Sequence, residues 1–169
     1  KMAQTELRQF SVQEKLNKMD VDLIDVTLTT DAEAHADNDV IAQSIEIPDA
    51  VAVNGGSAII QSIMLLDEDD EAPAVDLIFQ TDNTALASDE GEVINISDAN
   101  ARDILGFVNV SNWSDLVGCQ IAVKSNIGLV VKAASDTRSI FVHAVNRSGG
   151  TYTPAATTDL KMRIGIVKD

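Results

Sequence analysis

Apolar and polar residues alternate along most of the chain from Val21 onward, with the period of two that is typical of half-buried β-strands. The first such segment covers residues 21–29, and a slip in its alternation at Ile24 predicts a β-bulge. Further strand-like segments cover residues 40–47, 57–66, 74–80, 93–96, 107–110, 127–133, 139–146 and 160–167. Together they predict about eight to ten strands, and hence a mainly β protein built as an antiparallel β-sandwich or jelly-roll.

The sequences between these segments predict turns, loops and short helices. Asn54-Gly55-Gly56 favours a turn, because glycine tolerates positive φ. The acidic run of residues 67–71 is expected to be a solvated hairpin loop between two strands. Residues 97–104 predict one or two helical turns, residues 113–116 a turn, and residues 120–124 either a strand or a short helix.

The first twenty residues follow a different pattern and are interpreted as a partly helical N-terminal arm, residues 1–20, ahead of a body at residues 21–169. Ser11-Val12-Gln13-Glu14 matches a capping box, which predicts a helix start. The apolar side chains of the arm form a narrow stripe: Leu7, Phe10, Leu16 and Met19. A short helix with so narrow a stripe is marginal alone, so the arm is expected to order against its own body or a neighbour.

Charge is distributed as unevenly as hydrophobicity. The formal net charge is −15. From Met19 to Ala101 the sequence contains twenty Asp and Glu and no Lys or Arg, whereas the first eighteen residues carry four bases and two acids. So negative a body repels phosphates and anionic lipid heads, which argues against nucleic acid or a membrane as a partner. No apolar run approaches the roughly 18 residues needed to span a bilayer.

Residues able to carry catalysis are few and scattered. His35 lies in a polar loop, and His143 lies in a predicted strand, half-buried or at an edge, where a structural role is favoured. Cys119 is flanked by apolar neighbours, which favours a small buried hydrophobe. Trp113 is interpreted as a packing anchor or an interface residue.

Known motifs are equally sparse. The spacings of zinc ligands, phosphate-binding glycine loops and nucleophile elbows are not found in the sequence. The sequence therefore predicts a protein that is not an enzyme and uses no cofactor or metal. Whether the acidic run of residues 67–71 binds a cation is left open, since Ca²⁺ prefers carboxylate oxygens.

Four stretches resemble virion structural proteins of tailed bacteriophages, often from marine sources. They are residues 47–58 (IPDAVAVNGGSA), 65–70 (LLDEDD), 74–79 (AVDLIF) and 96–101 (ISDANA). The resemblance extends from about Val26 to the C-terminus and implies a small β-rich head component, most plausibly a capsid decoration (cement) protein. It implies the capsid exterior as location, after synthesis in the host cytoplasm.

The expected partners are then the major capsid protein and sister copies, with a homotrimer as the expected assembly. The arm is the predicted contact segment, through Leu7, Phe10 and Leu16 together with Arg8, Lys15 and Lys18. Two alternatives stay open: a neck, tail or head-fibre component of a virion, and a carbohydrate- or ligand-binding β-sandwich module.

Overall fold

In the computed structural model, which describes residues 20–86 and 88–168, nine strands pair into two antiparallel sheets. The strands are β1 (Asp20–Thr27), β2 (Val40–Ile47), β3 (Ser57–Asp67), β4 (Val75–Gln80), β5 (Ile104–Val110), β6 (Trp113–Asp115), β7 (Gln120–Lys132), β8 (Ile140–Asn146) and β9 (Leu160–Lys168). One short 3₁₀ helix covers Asn100–Asp103. The predicted mainly β sandwich is confirmed.

The order of the strands is that of a jelly-roll. The five-stranded sheet runs β1-β9-β3-β7-β6, and the four-stranded sheet runs β2-β8-β4-β5. Apart from the short edge strand β6, the pairs β1–β9, β2–β8, β3–β7 and β4–β5 are nested, as in one long hairpin folded over itself. Successive pairs fall in alternate sheets, which is how a double-sheet jelly-roll closes around its core.

The core between the sheets is aliphatic, as the composition predicts. Each strand contributes every second residue to it, because side chains alternate between the two faces of a sheet. On β9, for example, Met162, Ile164 and Ile166 are almost completely buried. The largest buried side chains elsewhere in the core include Leu28, Ile60, Leu65, Leu77, Phe79 and Ile140.

Most strand positions agree with the sequence pattern, and the helical turn predicted at residues 97–104 is confirmed as the 3₁₀ helix. Three local predictions are wrong. Residues 93–96 form no strand, only a bridge between Val93 and Asp39. Residues 113–116, predicted as a turn, contribute the strand β6, and residues 120–132 form one strand instead of two segments.

The predicted bulge at Ile24 is also wrong. β1 pairs with β9 without any register shift, and it points Ile24 and Val26 inward and Val21 and Leu23 outward. The register shifts in this sheet and its partner lie elsewhere: near Gln61 in β3, within β2, and near Leu105 in β5. The sequence suggested a slip at Ile24 because all four apolar residues were expected to face the core.

The acidic run does not form a hairpin. β3 and β4 lie in different sheets, so residues 68–74 cross from one sheet to the other. Over residues 20–86 and 88–168, no helix has the length and apolar character that a bilayer crossing requires.

Candidate functional site

Loops from both sheets meet at one end of the sandwich, which is called the braced end: residues 28–39, 68–74 and 147–159. His35 and Tyr152 join two of these loops through reciprocal backbone hydrogen bonds, of 2.8 Å from the His35 N–H and 2.9 Å from the Tyr152 N–H. Their rings also stack, with centroids 6.3 Å apart. His35 lies in a loop, as predicted, and both side chains are buried.

Asn146, the last residue of β8, is the centre of this end. Its side-chain amide donates to the backbone carbonyls of His35, Ala36 and Gly150, at 2.9–3.1 Å. Its Oδ1 accepts from both the N–H and the hydroxyl of Ser148. One fully buried side chain thus saturates its hydrogen-bonding capacity while tying two loops together.

The acidic run belongs to the same network. The Asp69 carboxylate accepts from the Ala155 N–H at 2.7 Å, and the Glu71 carboxylate accepts from the Thr153 N–H at 2.8 Å. These carboxylates hold residues 153–155 against the crossing. The predicted hairpin is therefore wrong, although Glu68, Asp70 and Glu71 are exposed to solvent, as expected. Over the described part of the chain, no group of three or more His, Cys, Asp or Glu is arranged to hold a metal ion.

Asp67 is the most perturbed carboxyl group of this end. It is fully buried and accepts from the Ala72 N–H at 2.5 Å. Burial, followed by the hydrogen bond and charge of neighbouring Asp69, raises the pKa of Asp67 to about 7. The pKa of buried Tyr152 is also raised, by burial first and then by the negative field of Asp67 and its acidic neighbours.

His143 has a structural role, as predicted, although it is fully buried rather than half-buried or at an edge. Its Nδ1 accepts from the Ser44 N–H at 3.0 Å, so Nε2 carries the proton and donates to Gln80 Oε1 at 2.6 Å. Burial lowers the pKa of His143 to about 4, which keeps the ring neutral. The ring thereby secures the irregular backbone of β2, where Ser44 adopts a φ of 55°.

Two further residues from the sequence analysis can be placed. The Trp113 indole N–H donates to the Pro73 carbonyl at 2.9 Å while its ring packs on the core, which confirms a packing anchor. Cys119 is only partly buried, and neighbouring Val117 is 89% exposed. The prediction of a buried cysteine is wrong, because Cys119 lies between an exposed loop at Val117 and the start of β7, where Val123 also faces solvent.

The outer face of the five-stranded sheet, here called the bare face, has the opposite character. Strand register places Val21, Val167, Ile59 and Val130 side by side across β1, β9, β3 and β7. Val21 is 72% and Val130 is 62% exposed, while Ile59 is 36% exposed. These four side chains form an apolar row that crosses the sheet in contact with solvent.

Beside the apolar row, the bare face has a low floor. The next positions across the sheet are Leu23, Gly165 and Ser62. A Cβ on Gly165 would lie 2.4 Å from Ser62 Oγ, so a larger residue there would displace the Ser62 hydroxyl. Leu23 stays 63% exposed at the edge of this floor.

The bare face is polar on both sides of this apolar part: at Ser57 and Lys132 beyond the apolar row, and further along the strands in the other direction. Asp25 and Arg163 form an exposed ion pair there, with Arg163 Nε 2.6 Å from Asp25 Oδ1. This pair lines a shallow groove of about 310 Å³ together with Thr27, Met64, Leu66 and Lys161. The face therefore divides into an apolar half next to the start of β1 and a mixed half next to its end.

The predicted contact residues Leu7, Arg8, Phe10, Lys15, Leu16 and Lys18 lie outside the described residues. The chain enters the described fold at Asp20, one residue before the apolar row begins at Val21. Sequence reasoning missed this row, although a signal was present: Val21 and Leu23 have the opposite parity to Ile24 and Val26.

Comparison with known proteins finds a similar solved structure, and its similarity is weak. No known protein family and no curated protein matches the chain. Among solved structures it is similar to a chain of Desmodium yellow mottle tymovirus, at 14% identity over 89% of this chain and 87% of that chain, with a TM-score of 0.31. A TM-score this low establishes no common fold, and no property of that virus is transferred to this protein.

Proposed function

We propose that this protein is a structural component of a bacteriophage virion that decorates and stabilises the capsid exterior. The observation that carries the proposal is the jelly-roll order of the strands, β1-β9-β3-β7 facing β2-β8-β4-β5. Double-sheet jelly-rolls occur in viral capsid and lectin domains and in cupins. The resemblance of four sequence stretches to tailed-phage virion proteins favours the first of these.

The placement of polar side chains supports assembly over catalysis. His35 and His143 lie in different parts of the fold, and each is buried beside its own partner, Asp31 or Gln80. At the braced end, the carboxylates of Asp69 and Glu71 accept hydrogen bonds from backbone amides. A shell protein present in many copies needs such a rigid, soluble body, and an acidic surface discourages unspecific association between particles.

Contacts with the capsid are assigned to the arm. It carries Arg8, Lys15 and Lys18 next to Leu7, Phe10 and Leu16, in contrast to the strongly acidic body. The proposed partners are the major capsid protein and sister copies, in a homotrimer. Ordering the arm on a partner costs conformational entropy, which burial of its apolar side chains offsets.

Virions of the encoding phage, stripped of this protein and reloaded, test the proposal. We expect the full chain to load at hundreds of copies per particle, as a shell component would. We expect Phe10→Ser to load poorly, because it removes the largest apolar side chain of the arm. Gln9→Ser is the matched control and is expected to load like the full chain.

Copy number, measured by quantitative mass spectrometry of the particles, also separates the alternatives. About a dozen copies or fewer would place the protein in the neck, tail or head fibre. A chain that is monomeric by light scattering and never associates with particles would overturn the proposal.

One observation favours a ligand-binding module as a second candidate. Phe107 on β5 is 70% exposed and borders a pocket of about 210 Å³, with Ile78, Ile104 and the Asp76–Arg147 ion pair. An exposed aromatic ring offers a large apolar surface on which a ligand can pack. Binding on a glycan array that is lost in Phe107→Ala, and kept in Val123→Ala, would establish this function instead.

A further inference from the structure

We propose that residues 2–19 of this chain lie across the apolar row of their own body when the protein is free in solution. The inference does not rest on the virion function proposed above, because it concerns the isolated protein. It assigns an occupant to the bare face and a binding surface to the arm.

The apolar row is a surface that water solvates poorly. Four aliphatic side chains stand in register across four strands, and Leu23 extends them by one position along β1. Half of the large apolar side chains that are exposed in the described residues lie on this one face: Val21, Leu23, Ile59, Val123 and Val130. Apolar side chains grouped in this way mark a contact surface, whereas single exposed ones need no explanation.

The origin of the arm makes it the best-placed occupant. The apolar row starts at Val21, directly after the arm, and ends at Val130 three strand spacings away, a distance of about 14 Å. Eighteen residues reach about 27 Å as a helix and roughly 60 Å when extended, so one reversal near Met19 is sufficient. A tether this short gives an effective concentration of about 1 mM, which exceeds that of a second copy in dilute solution.

The chemistry of the arm matches the surface. Its apolar residues Leu7, Phe10, Leu16 and Met19 provide a stripe that is too narrow for a core of its own. The low floor at Gly165 and Ser62 lies directly beside the apolar row and suits a large side chain such as Phe10. Residues 2–19 also bring three bases against two acids to a body that is strongly acidic.

Limited proteolysis with trypsin tests the inference, since the arm offers Arg8, Lys15 and Lys18 and the next base in the chain is Arg102. We expect Val130→Asp to accelerate cleavage of the arm roughly tenfold, because a carboxylate in the apolar row disfavours the docked state. Val123→Asp is the matched control. It introduces the same charge on the same strand and face, at a position that is 60% exposed but outside the apolar row, and it should change the rate less than about twofold.

Two results would overturn the inference. Equal cleavage rates for the full chain, Val130→Asp and Val123→Asp would show that the arm does not use the apolar row. Protection that increases as the protein concentration rises from about 1 to about 100 µM would show that the arm docks on a second copy instead. Since all three chains are compared without virions, neither result depends on the proposed function.

Discussion

The braced end and the bare face use their side chains in opposite ways. At the braced end, polar side chains are bound within the molecule: Asn146 and Asp67 are fully buried, and Asp69 and Glu71 accept hydrogen bonds from backbone amides of another loop. On the bare face, aliphatic side chains that usually fill a core are exposed to water. Each region departs from the usual distribution of polar side chains outside and apolar side chains inside. Within the described residues, these polar side chains of the braced end find hydrogen-bond partners, whereas the apolar side chains of the bare face remain uncovered.

The two regions are therefore expected to have different roles: the braced end makes the body rigid, and the bare face makes contacts. A network of hydrogen bonds between loops lowers local mobility, because opening any one loop breaks bonds to another. An exposed apolar row contributes little to the stability of the body and becomes stabilising only when something covers it. We therefore expect substitutions at the braced end to change the free energy of unfolding, and those on the bare face to change association.

The largest effect is expected from Asn146→Ala. The substitution removes a buried side chain that donates to three carbonyls and accepts from Ser148. The Ser148 N–H loses this acceptor, and the carbonyls of His35 and Ala36 keep only the backbone N–H groups of Tyr152 and Asp39. We expect the free energy of unfolding to fall by about 3 kcal/mol in urea titrations monitored by circular dichroism.

Asn109→Ala is the control for this prediction. Asn109 is exposed and makes a single side-chain hydrogen bond, to Asp76, so its loss should cost about 0.5 kcal/mol or less. Similar losses for both variants would mean that the braced end is not the rigid part of the molecule.

An intermediate effect should separate two neighbouring valines of β7. Val131 faces the core and is completely buried, whereas Val130 stands in the apolar row. Val131→Ala removes two methyl groups from a packed interior and should cost about 2 kcal/mol, while Val130→Ala should change the free energy of unfolding by about 0.5 kcal/mol or less. Equal costs would mean that Val130 is packed as tightly as Val131, which would contradict the described register of β7.

The sequence predicted the positions of most strands because alternation is a local property. It placed Val40–Ile47 with the bounds that the structure has, and it assigned His143 to the same face as Phe141 and Val145. It could not predict which strands pair, since alternation carries no information about the partner. The acidic run was therefore expected to be a hairpin, although β3 and β4 lie in different sheets.

The candidate surface was harder to predict than the fold. An alternation pattern is interpreted by assuming that apolar residues face the core. That assumption fails on the bare face, where apolar side chains point away from the core. Val21 and Leu23 broke the pattern of β1, and the break was interpreted as a bulge instead of an exposed row. The residues expected to make contacts, in the arm, remain a prediction because they lie outside the described residues.

The smallest of the expected effects concerns the charge of the braced end. Burial raises the pKa of Asp67 to about 7, well above the ordinary aspartate value of 3.8, so the folded state binds a proton that the unfolded state has released. The resulting stabilisation is fully present below pH 3.8 and is lost as the pH rises through about 7.

Asp67→Asn mimics the protonated form and removes this dependence. Between pH 8 and pH 6 we expect the free energy of unfolding of the natural chain to gain about 1 kcal/mol relative to that variant. Asp70→Asn removes a charge from the same run at an exposed position and should follow the natural chain at every pH. If Asp67→Asn also follows it, Asp67 is ionised in the folded protein and its contact with the Ala72 N–H outweighs its burial.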